Sequence, residues 1–329
     1  MTAQQSWHPI SSIKSAARRA AMLQRARTFF EERNILEVDT PILSRYAVSD
    51  PQIESIEVTL QLDPGKSWFL HTSPEYCMKR LLSAGYPDIY EICKVFRDAE
   101  VGRHHQPEFT MVEWYRLNFG LKDIMQDTID FITTLLDTAS FDKPPMFLSY
   151  AKVFSEFIGI DSMTADINTL AQVVSADNQL KISLDDNRDN WLNLIFAEKI
   201  ACNIPSDRLT VVYHYPASQA ALAQICPNDT SVADRFEIFV GTLELANGYV
   251  ELVDPKEQIS RFETDQSIRK QTGKPQRQLD ETLIAALQSG LPACAGVAVG
   301  LDRLHMLNEG SDDIRETLSF TFEVSGEND

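Results

Sequence analysis

Apolar residues recur along this chain at two different periods. Ser11 or Ser12 can cap a helix whose apolar positions follow at Ile13, Ala17, Ala20, Leu23 and Phe30, with Arg18, Arg19 and Arg25 interleaved. The pattern stops near Asn34, and a short apolar run from Ile35 to Val38 reads as a strand closed by Pro41. Trp68 to Glu113 holds several short segments with many polar side chains of catalytic type. A second amphipathic helix is predicted over Lys122 to Ala139, with Ile124, Thr128, Phe131, Leu135 and Ala139 along one face. Between about Ser140 and Asp207 the pattern gives helices and loops without a chemical motif. Arg208 to Tyr215 and Phe236 to Val253 read as strands, and the second contains Asn247-Gly248, a pair that favours a two-residue hairpin turn. Ala293 to Val299 is an apolar strand rich in small residues, followed by a helix from Leu301 to Leu307. Without βαβ alternation, repeats or low-complexity linkers, the expected architecture is α+β around an antiparallel sheet.

Composition narrows the class. A chain of 329 residues accommodates one large domain or two ordinary ones. At 43% apolar and 24% charged it is of ordinary globular composition. No apolar run approaches the roughly 18 residues that span a bilayer, and Met1 to Pro9 lacks a signal-peptide core, so a cytosolic location without membrane partners is expected. The five cysteines (Cys77, Cys93, Cys202, Cys226 and Cys294) include no C-x-x-C pair, which predicts buried thiols rather than a zinc site or a disulfide framework. The formal charge of −18 is poorly suited to a nucleic-acid body, although a local basic patch is compatible with it. It favours a small-molecule site or a basic protein partner.

Four groups of residues carry candidate chemistry. Arg97 follows apolar Val95 and Phe96, so it belongs at the end of a strand, where it is either a rigid donor to a phosphate oxygen or the partner of Asp98 or Glu100. Arg303 lies in the first turn of the last helix, after Gly296-Val-Ala-Val-Gly300-Leu-Asp302. There it can stack on an adenine opposite Phe109, or the stretch is simply a tightly packed strand with a capping Asp302. Glu237, Glu244 and Glu251 are spaced at sevens. A turn at Asn247-Gly248 would pair Ala246 with Tyr249, Leu245 with Val250 and Glu244 with Glu251. Facing carboxylates repel by about 0.2–1 kcal/mol, and either magnesium or a substrate ammonium would relieve them, unless the hairpin is a solvated edge. Glu75 and Glu113, near aromatic residues, suit recognition of amino groups; Glu113 would otherwise pair with Arg116 or Lys79.

Together these segments resemble the three signature motifs of the class II aminoacyl-tRNA synthetases, in order and over nearly the whole chain. Arg33-Asn-Ile-Leu-Glu-Val-Asp-Thr-Pro41 resembles motif 1, the dimer-interface helix and strand. Phe96-Arg97 through Glu113 resembles motif 2, and Gly296 through Arg303 resembles motif 3. Within the class the lysyl branch is the nearest match. His105-Gln-Pro-Glu-Phe-Thr-Met-Val-Glu113 is similar to its His-Asn-Pro-Glu-Phe-Thr-Met-x-Glu run. Glu244-Leu-Ala-Asn247-Gly248-Tyr-Val-Glu251-Leu is similar to its Glu-x-x-Asn-Gly-x-x-Glu-Leu run.

The resemblance implies an ATP-dependent, AMP-forming ligase whose chain, residues 1–329, is one catalytic domain. The N-terminal helix and motif 1 would span about 11–41, motif 2 about 95–115, a helical insertion about 120–205 and motif 3 about 293–309. Arg97 would hold the α-phosphate, with Phe109 and Arg303 sandwiching adenine and Ala99, His105, Gln106, Glu244, Leu245 and Gly300 completing the ATP site. Glu237 and Glu244 would bind Mg2+. Glu75, flanked by Ser73 and Pro74, would take the backbone-type amino group, and Glu113, Tyr115, Asn247, Glu251 and Ala298 would surround the rest of a lysine-like substrate.

Departures from the lysyl pattern redirect the acceptor. Motif 1 begins too early for an anticodon-reading domain, and nothing follows motif 3, which argues against tRNA. Ala298 replaces a motif 3 glycine, so a substrate whose amino group is displaced by one carbon would fit better. Ala99 stands where motif 2 has a glutamate that touches adenine, and Gln106 replaces an asparagine. A stand-alone lysyl-type core of this kind resembles the bacterial ligases that attach (R)-β-lysine to a lysine of elongation factor P, a tRNA-shaped protein. The resemblance implies a homodimer. Loading of a tRNA or another small acceptor, and a non-catalytic synthetase paralogue, are the alternative readings.

Overall fold

The computed structural model describes residues 7–136, 141, 143–184 and 187–322. Ala139 and Ser140, used above as element bounds, lie outside the described residues, as does the start of the N-terminal polar stretch. The first helix, α1 (Ile13–Glu31), begins where Ser12 Oγ accepts from the Ser15 amide. Its buried face is Met22, Ala26, Phe29 and Phe30 with Ser15. Of the expected stripe, Phe30 is buried and Leu23 half-buried, while Ile13 (91% exposed), Ala17 and Ala20 point outward. The apolar period was legible, but α1 carries two apolar stripes and only contact with the sheet chooses between them.

The chain continues through β1 (Leu36–Glu37), β2 (Leu43–Ser44), β3 (Glu57–Thr59), β4 (Ser67–Leu70), α2 (Glu75–Ser83), β5 (Ile89–Phe96) and β6 (Glu108–Leu117). Next come α3 (Leu121–Leu135), β7 (Met146–Ser149) and the helices α4 (Tyr150–Ile158), α5 (Ile167–Val173), α6 (Asn178–Leu184) and α7 (Arg188–Ile195). The last part comprises β8 (Thr210–Pro216), β9 (Val232–Val240), β10 (Leu243–Val250), α8 (Pro255–Gln271), α9 (Glu281–Gly290), β11 (Cys294–Gly300) and α10 (Leu301–Glu309). Eight strands form one sheet in the order β1-β5-β6-β11-β10-β9-β8-β7, and β2-β4-β3 form a small second sheet. The α+β class holds. The large sheet is antiparallel from β5 to β8 but parallel at both edge pairs, β1 with β5 and β7 with β8. Each parallel pair is joined by a long crossover, which parallel pairing requires; the first carries α2 and the second α4 to α7.

Period-two alternation divides the sheet into a dry face and a working face. Val112 and Trp114 of β6, Phe236 and Ile238 of β9, and Val297 and Val299 of β11 are buried in the cluster beneath α1, α3 and α10. Their neighbours Met111, Glu113, Tyr115, Glu237, Gly296 and Ala298 line a cleft of about 1100 Å³ on the opposite face. A second core sits between α4–α7 and β7–β9, and a third between α2, α8 and α9.

The hairpin was misplaced. Asn247 and Gly248 lie inside β10, paired with Glu237 and Phe236 of β9, and the turn falls between Val240 and Leu243 at Gly241 (φ +55°). A Cβ on Gly248 would lie 2.7 Å from the Phe236 ring and 2.8 Å from the Gly296 oxygen, so this glycine serves close strand packing rather than a turn. Ala246 therefore pairs with Ile238 and Tyr249 with Arg235, while Glu244 lies opposite Phe239. Glu244 does not face Glu251. Glu237 instead feels the charge of Glu244 across the true hairpin.

The cysteines are all free, with Cys226 and Cys294 buried, Cys77 and Cys93 half-buried, and Cys202 exposed, against the expectation of buried thiols throughout. Cys202 lies on an outward-facing turn, where no core contact is available to it. Among the described residues, His214, Cys226 and Asp234 bring donor atoms within 4.8 Å of one another, a grouping that sequence spacing does not reveal.

Candidate active site

The cleft is polarised. At one end the backbone leaves β5 directly into Arg97, whose amide donates to the Pro107 carbonyl. The Arg97 guanidinium carbon lies 5.2 Å from the Phe109 ring centroid, and Glu100 is 3.8 Å away. Arg97 Nε is buried without an acceptor among the described residues. Asp98 accepts the Ala99 amide instead of pairing with Arg97. Ala99 has φ +62°, a conformation uncommon for a residue with a side chain, and it does not line the cleft.

Arg303 comes to the same end from α10. Its Nη1 donates to the Glu244 carbonyl and its Nη2 to His105 Nε2, both at 2.7 Å, so it braces the motif 2 loop against β10. A guanidinium can only donate, so His105 Nε2 must accept. Burial and the Arg303 charge keep the His105 pKa below the usual imidazole range, which suits that role. Gly300, the residue before α10, and Leu245 also line this region. Gln106 lines the cleft but is engaged on both sides: Nε2 donates to the His105 carbonyl and Oε1 accepts from Phe322 N–H. Asp302 is not a cap. It accepts from Arg19 of α1 (2.7 Å) and from the Thr110 amide (2.8 Å), which ties the first helix to motifs 2 and 3.

Glu237 and Glu244 stand between the two ends. Tyr215 OH donates to Glu237 Oε2 (2.6 Å) and Arg235 Nη2 to its Oε1 (2.7 Å). Burial raises the Glu237 pKa, Arg235 opposes this and the Glu244 charge adds to it. The Glu244 side chain is 41% exposed, with Arg303 at 3.9 Å. Two neighbouring carboxylates, one of them open to the cleft, offer the hard oxygen donors that suit Mg2+ alongside nucleotide phosphates.

The other end is acidic and dry. Glu75 opens α2, behind Pro74, which precedes the helix and does not line the cleft. Ser73 Oγ donates to Glu113 Oε2 (2.7 Å), and Tyr115 OH donates to Glu113 Oε1 (2.6 Å). Neither Arg116 nor Lys79 pairs with Glu113: Arg116 binds Asp88 and Asp127, while Lys79 bridges Glu75 (2.6 Å) and Glu251 (2.5 Å). Tyr249 OH donates to Glu75 Oε1 at 2.8 Å. Glu251 Oε1 and Asn247 Oδ1 are buried without a donor among the described residues. Buried polar atoms are usually satisfied, so these orphaned acceptors in the cleft wall mark where a ligand's donors belong. Ala298 points into the cleft between Glu113 of β6 and Asn247 of β10.

Sequence reasoning missed Arg235, Tyr215 and Tyr249, and offered Lys79 only as a partner for Glu113. Arg235 stands two residues from Glu237 on one strand face, a signal that was available; Tyr215 gave none. The helical insertion, in which no motif was legible, supplies Asn187, Asp189, Asn193 and Phe196 to the cleft.

Comparison with known proteins gives the family of the chain. The family model for tRNA synthetases class II (D, K and N) matches residues 11–323. "Elongation factor P--(R)-beta-lysine ligase" of Pasteurella multocida (strain Pm70) is 42% identical over 328 residues, covering 98% of this chain and 99% of the relative. The proteins of the same name from Haemophilus ducreyi (strain 35000HP / ATCC 700724) and Klebsiella pneumoniae (strain 342) are 43% and 42% identical, over 96% of this chain in each case and 96% and 97% of the relatives.

Proposed function

Since the chain belongs to the tRNA synthetases class II (D, K and N), we propose that it uses ATP to activate (R)-β-lysine as its adenylate and transfers the acyl group to the ε-amino group of a lysine on elongation factor P. The observation that carries this reading is the polarity of the cleft, with Arg97 and Arg303 at one end and Glu75, Glu113 and Glu251 at the other. A triphosphate and a diammonium amino acid fit such a cleft only in one orientation. Relatives named for this reaction match the chain almost end to end, which supports one catalytic domain over residues 1–329.

In the first step a substrate carboxylate oxygen attacks the α-phosphorus, and pyrophosphate leaves. Arg97 binds the α-phosphate, where its orphaned Nε offers a donor, and Arg303 and Phe109 hold adenine beside His105. Preorganised cations of this kind supply most of the acceleration. Glu237 and Glu244 are the residues that would hold Mg2+, which when bound neutralises phosphate charge. Glu75 takes the β-amino group, and Glu113, Tyr115, Asn247 and Glu251 the distal ammonium, over the Ala298 methyl. In the second step the neutral acceptor amine attacks the acyl carbon, and AMP leaves.

Elongation factor P is the acceptor rather than tRNA. The net charge of −18 opposes a nucleic-acid body. Location in the cytoplasm fits this chemistry, and among the described residues no helix is long and apolar enough to cross a membrane. The outward stripe of Ile13, Ala17 and Ala20 on α1 supports a homodimer through this helix. Incubation with labelled (R)-β-lysine and ATP should label elongation factor P on a lysine; labelling of tRNA in its place would sink this reading.

The acidic end also makes the reaction pH-dependent. Burial, with the Glu75 charge adding, pushes Glu113 up to about 8. Burial likewise pushes Glu251 up to about 8, against Lys79. Three carboxylates around one ammonium cannot all stay ionised without substrate, so the group as a whole retains a proton at neutral pH. With folded pKa values above the unfolded carboxylate value of 4.5, the native chain binds more protons than the unfolded one between these limits. The contribution to stability is therefore present at the acid end and is lost as pH rises through about 8. An incoming ammonium must expel the proton. The KM for the amino acid should therefore fall, by up to about tenfold per pH unit, as pH approaches about 8, and then level off. Pyrophosphate exchange across the pH range measures this; a flat KM would mean the carboxylates are already ionised.

A further inference from the structure

Lys79 is a buried charged group beside the cleft that the mechanism above leaves without a role. It is 1% exposed and does not itself line the cleft. Its ammonium contacts Glu75 Oε1 at 2.6 Å and Glu251 Oε2 at 2.5 Å. Glu75 lies one helical turn earlier on α2, whereas Glu251 is the residue just after β10 in the sheet. Lys79 therefore spends one oxygen of each carboxylate and leaves the other for the cleft, as the donor-free Glu251 Oε1 demonstrates. The two oxygens that Lys79 holds, Glu75 Oε1 and Glu251 Oε2, can be no further apart than the two ion-pair distances laid end to end, which fixes the spacing of the two carboxylates.

We propose that Lys79 is a positioning residue that determines specificity, clamping Glu75 and Glu251 at one separation so that the pocket measures the distance between two ammonium groups of its substrate. The inference rests on the reading above, in which Glu75 and Glu251 receive the two amino groups. It also accounts for the charge of the site: once the substrate has expelled the shared proton, three carboxylates and one buried lysine leave two negative charges, the complement of the two ammonium groups of a diamino acid. In (R)-β-lysine the two amino groups are one carbon closer together than in α-lysine, so a clamp of fixed span distinguishes them. Without it, Glu75 and Glu251 repel and separate, and the reference distance is lost.

The test is pyrophosphate exchange with (R)-β-lysine, α-lysine and ornithine, in the full chain and in two variants. Ornithine carries its amino groups at the β-lysine spacing, with the carboxylate one carbon closer. Lys79→Met should raise the KM for (R)-β-lysine about 100-fold while leaving the KM for ATP within about twofold, and the preference for (R)-β-lysine over α-lysine should collapse. Lys79→Arg keeps the charge on a longer, forked group and should shift the preference towards α-lysine. A Lys79→Met enzyme that folds, as judged by circular dichroism, and keeps the wild-type preference would overturn the proposal. If Lys79→Met does not fold, an unshifted preference in Lys79→Arg overturns it instead. Absence of exchange by the wild-type chain with every diamino acid would overturn the parent reading and this one together. Exchange that depends on a diamino acid but ignores Lys79 would overturn this one alone.

Discussion

Arg303→Ala should reduce amino-acid-dependent pyrophosphate exchange by about 10³-fold or more, equivalent to about 4 kcal/mol of transition-state stabilisation. The side chain has two duties that alanine cannot perform. It is the cation proposed to cover adenine, and it is a brace: Nη1 on the Glu244 carbonyl and Nη2 on His105 Nε2, each at 2.7 Å, join strands and loops far apart in sequence. Loss of the brace frees the motif 2 loop next to Arg97, so ATP positioning suffers twice. Global stability should fall by only about 1–2 kcal/mol, the usual cost of two partly exposed hydrogen bonds. Thermal melting separates the two effects. Arg303→Lys restores charge without the fork and should recover only part of the rate. Near-normal exchange by Arg303→Ala would remove this residue, and the motif 3 assignment with it, from the site.

Gly296→Ala should have an effect of similar size by a different route. A Cβ on Gly296 would sit 2.5 Å from both Glu251 Oε1 and Tyr115 Cε1, closer than real atoms approach. Neither neighbour can withdraw cheaply. Glu251 is held by Lys79 and is 1% exposed, and the Tyr115 ring is buried with its hydroxyl on Glu113. Overpacking of a rigid core costs about 1–3 kcal/mol. Here the displaced group is also a proposed substrate carboxylate. The expected result is a lower melting temperature and a loss of amino-acid-dependent exchange of about 100-fold or more, with ATP binding retained. Ala298, two residues along the same strand face, already carries a methyl group without such a clash because its side chain opens into the cleft. An unchanged KM for the amino acid in Gly296→Ala would show that the acidic end of the cleft is not where the substrate sits.

Much of this site was legible because its chemistry demands particular residue types in local runs. Arg97, Phe109 and Glu113 lie within one strand pair, and Arg303 follows directly from β11, so motif and geometry coincide. The Asn247-Gly248 pair misled for a physical reason. Its turn propensity is local, whereas Gly248 is required by the Phe236 ring and the Gly296 carbonyl of neighbouring strands. The carboxylate pairing read from that turn was wrong in consequence. Glu237 lies opposite Asn247 and feels the Glu244 charge across the hairpin at Gly241, and Glu251 meets Lys79. The α1 stripe failed similarly, because a helix with two apolar faces does not state which one the sheet will take.

The sequence by itself determined the periods, hence most strands and helices, and the inventory of arginines and carboxylates that the chemistry requires. These follow from local sterics and from side-chain alternation, which act over a few residues. The tertiary structure alone decided which charges are paired and which are left for a ligand. It placed Lys79 between Glu75 and Glu251, Arg235 and Tyr215 on Glu237, and Phe322 on Gln106. Ion pairing in a dry cleft depends on separations of a few ångströms between strands far apart in the chain, and only the assembled sheet sets those separations.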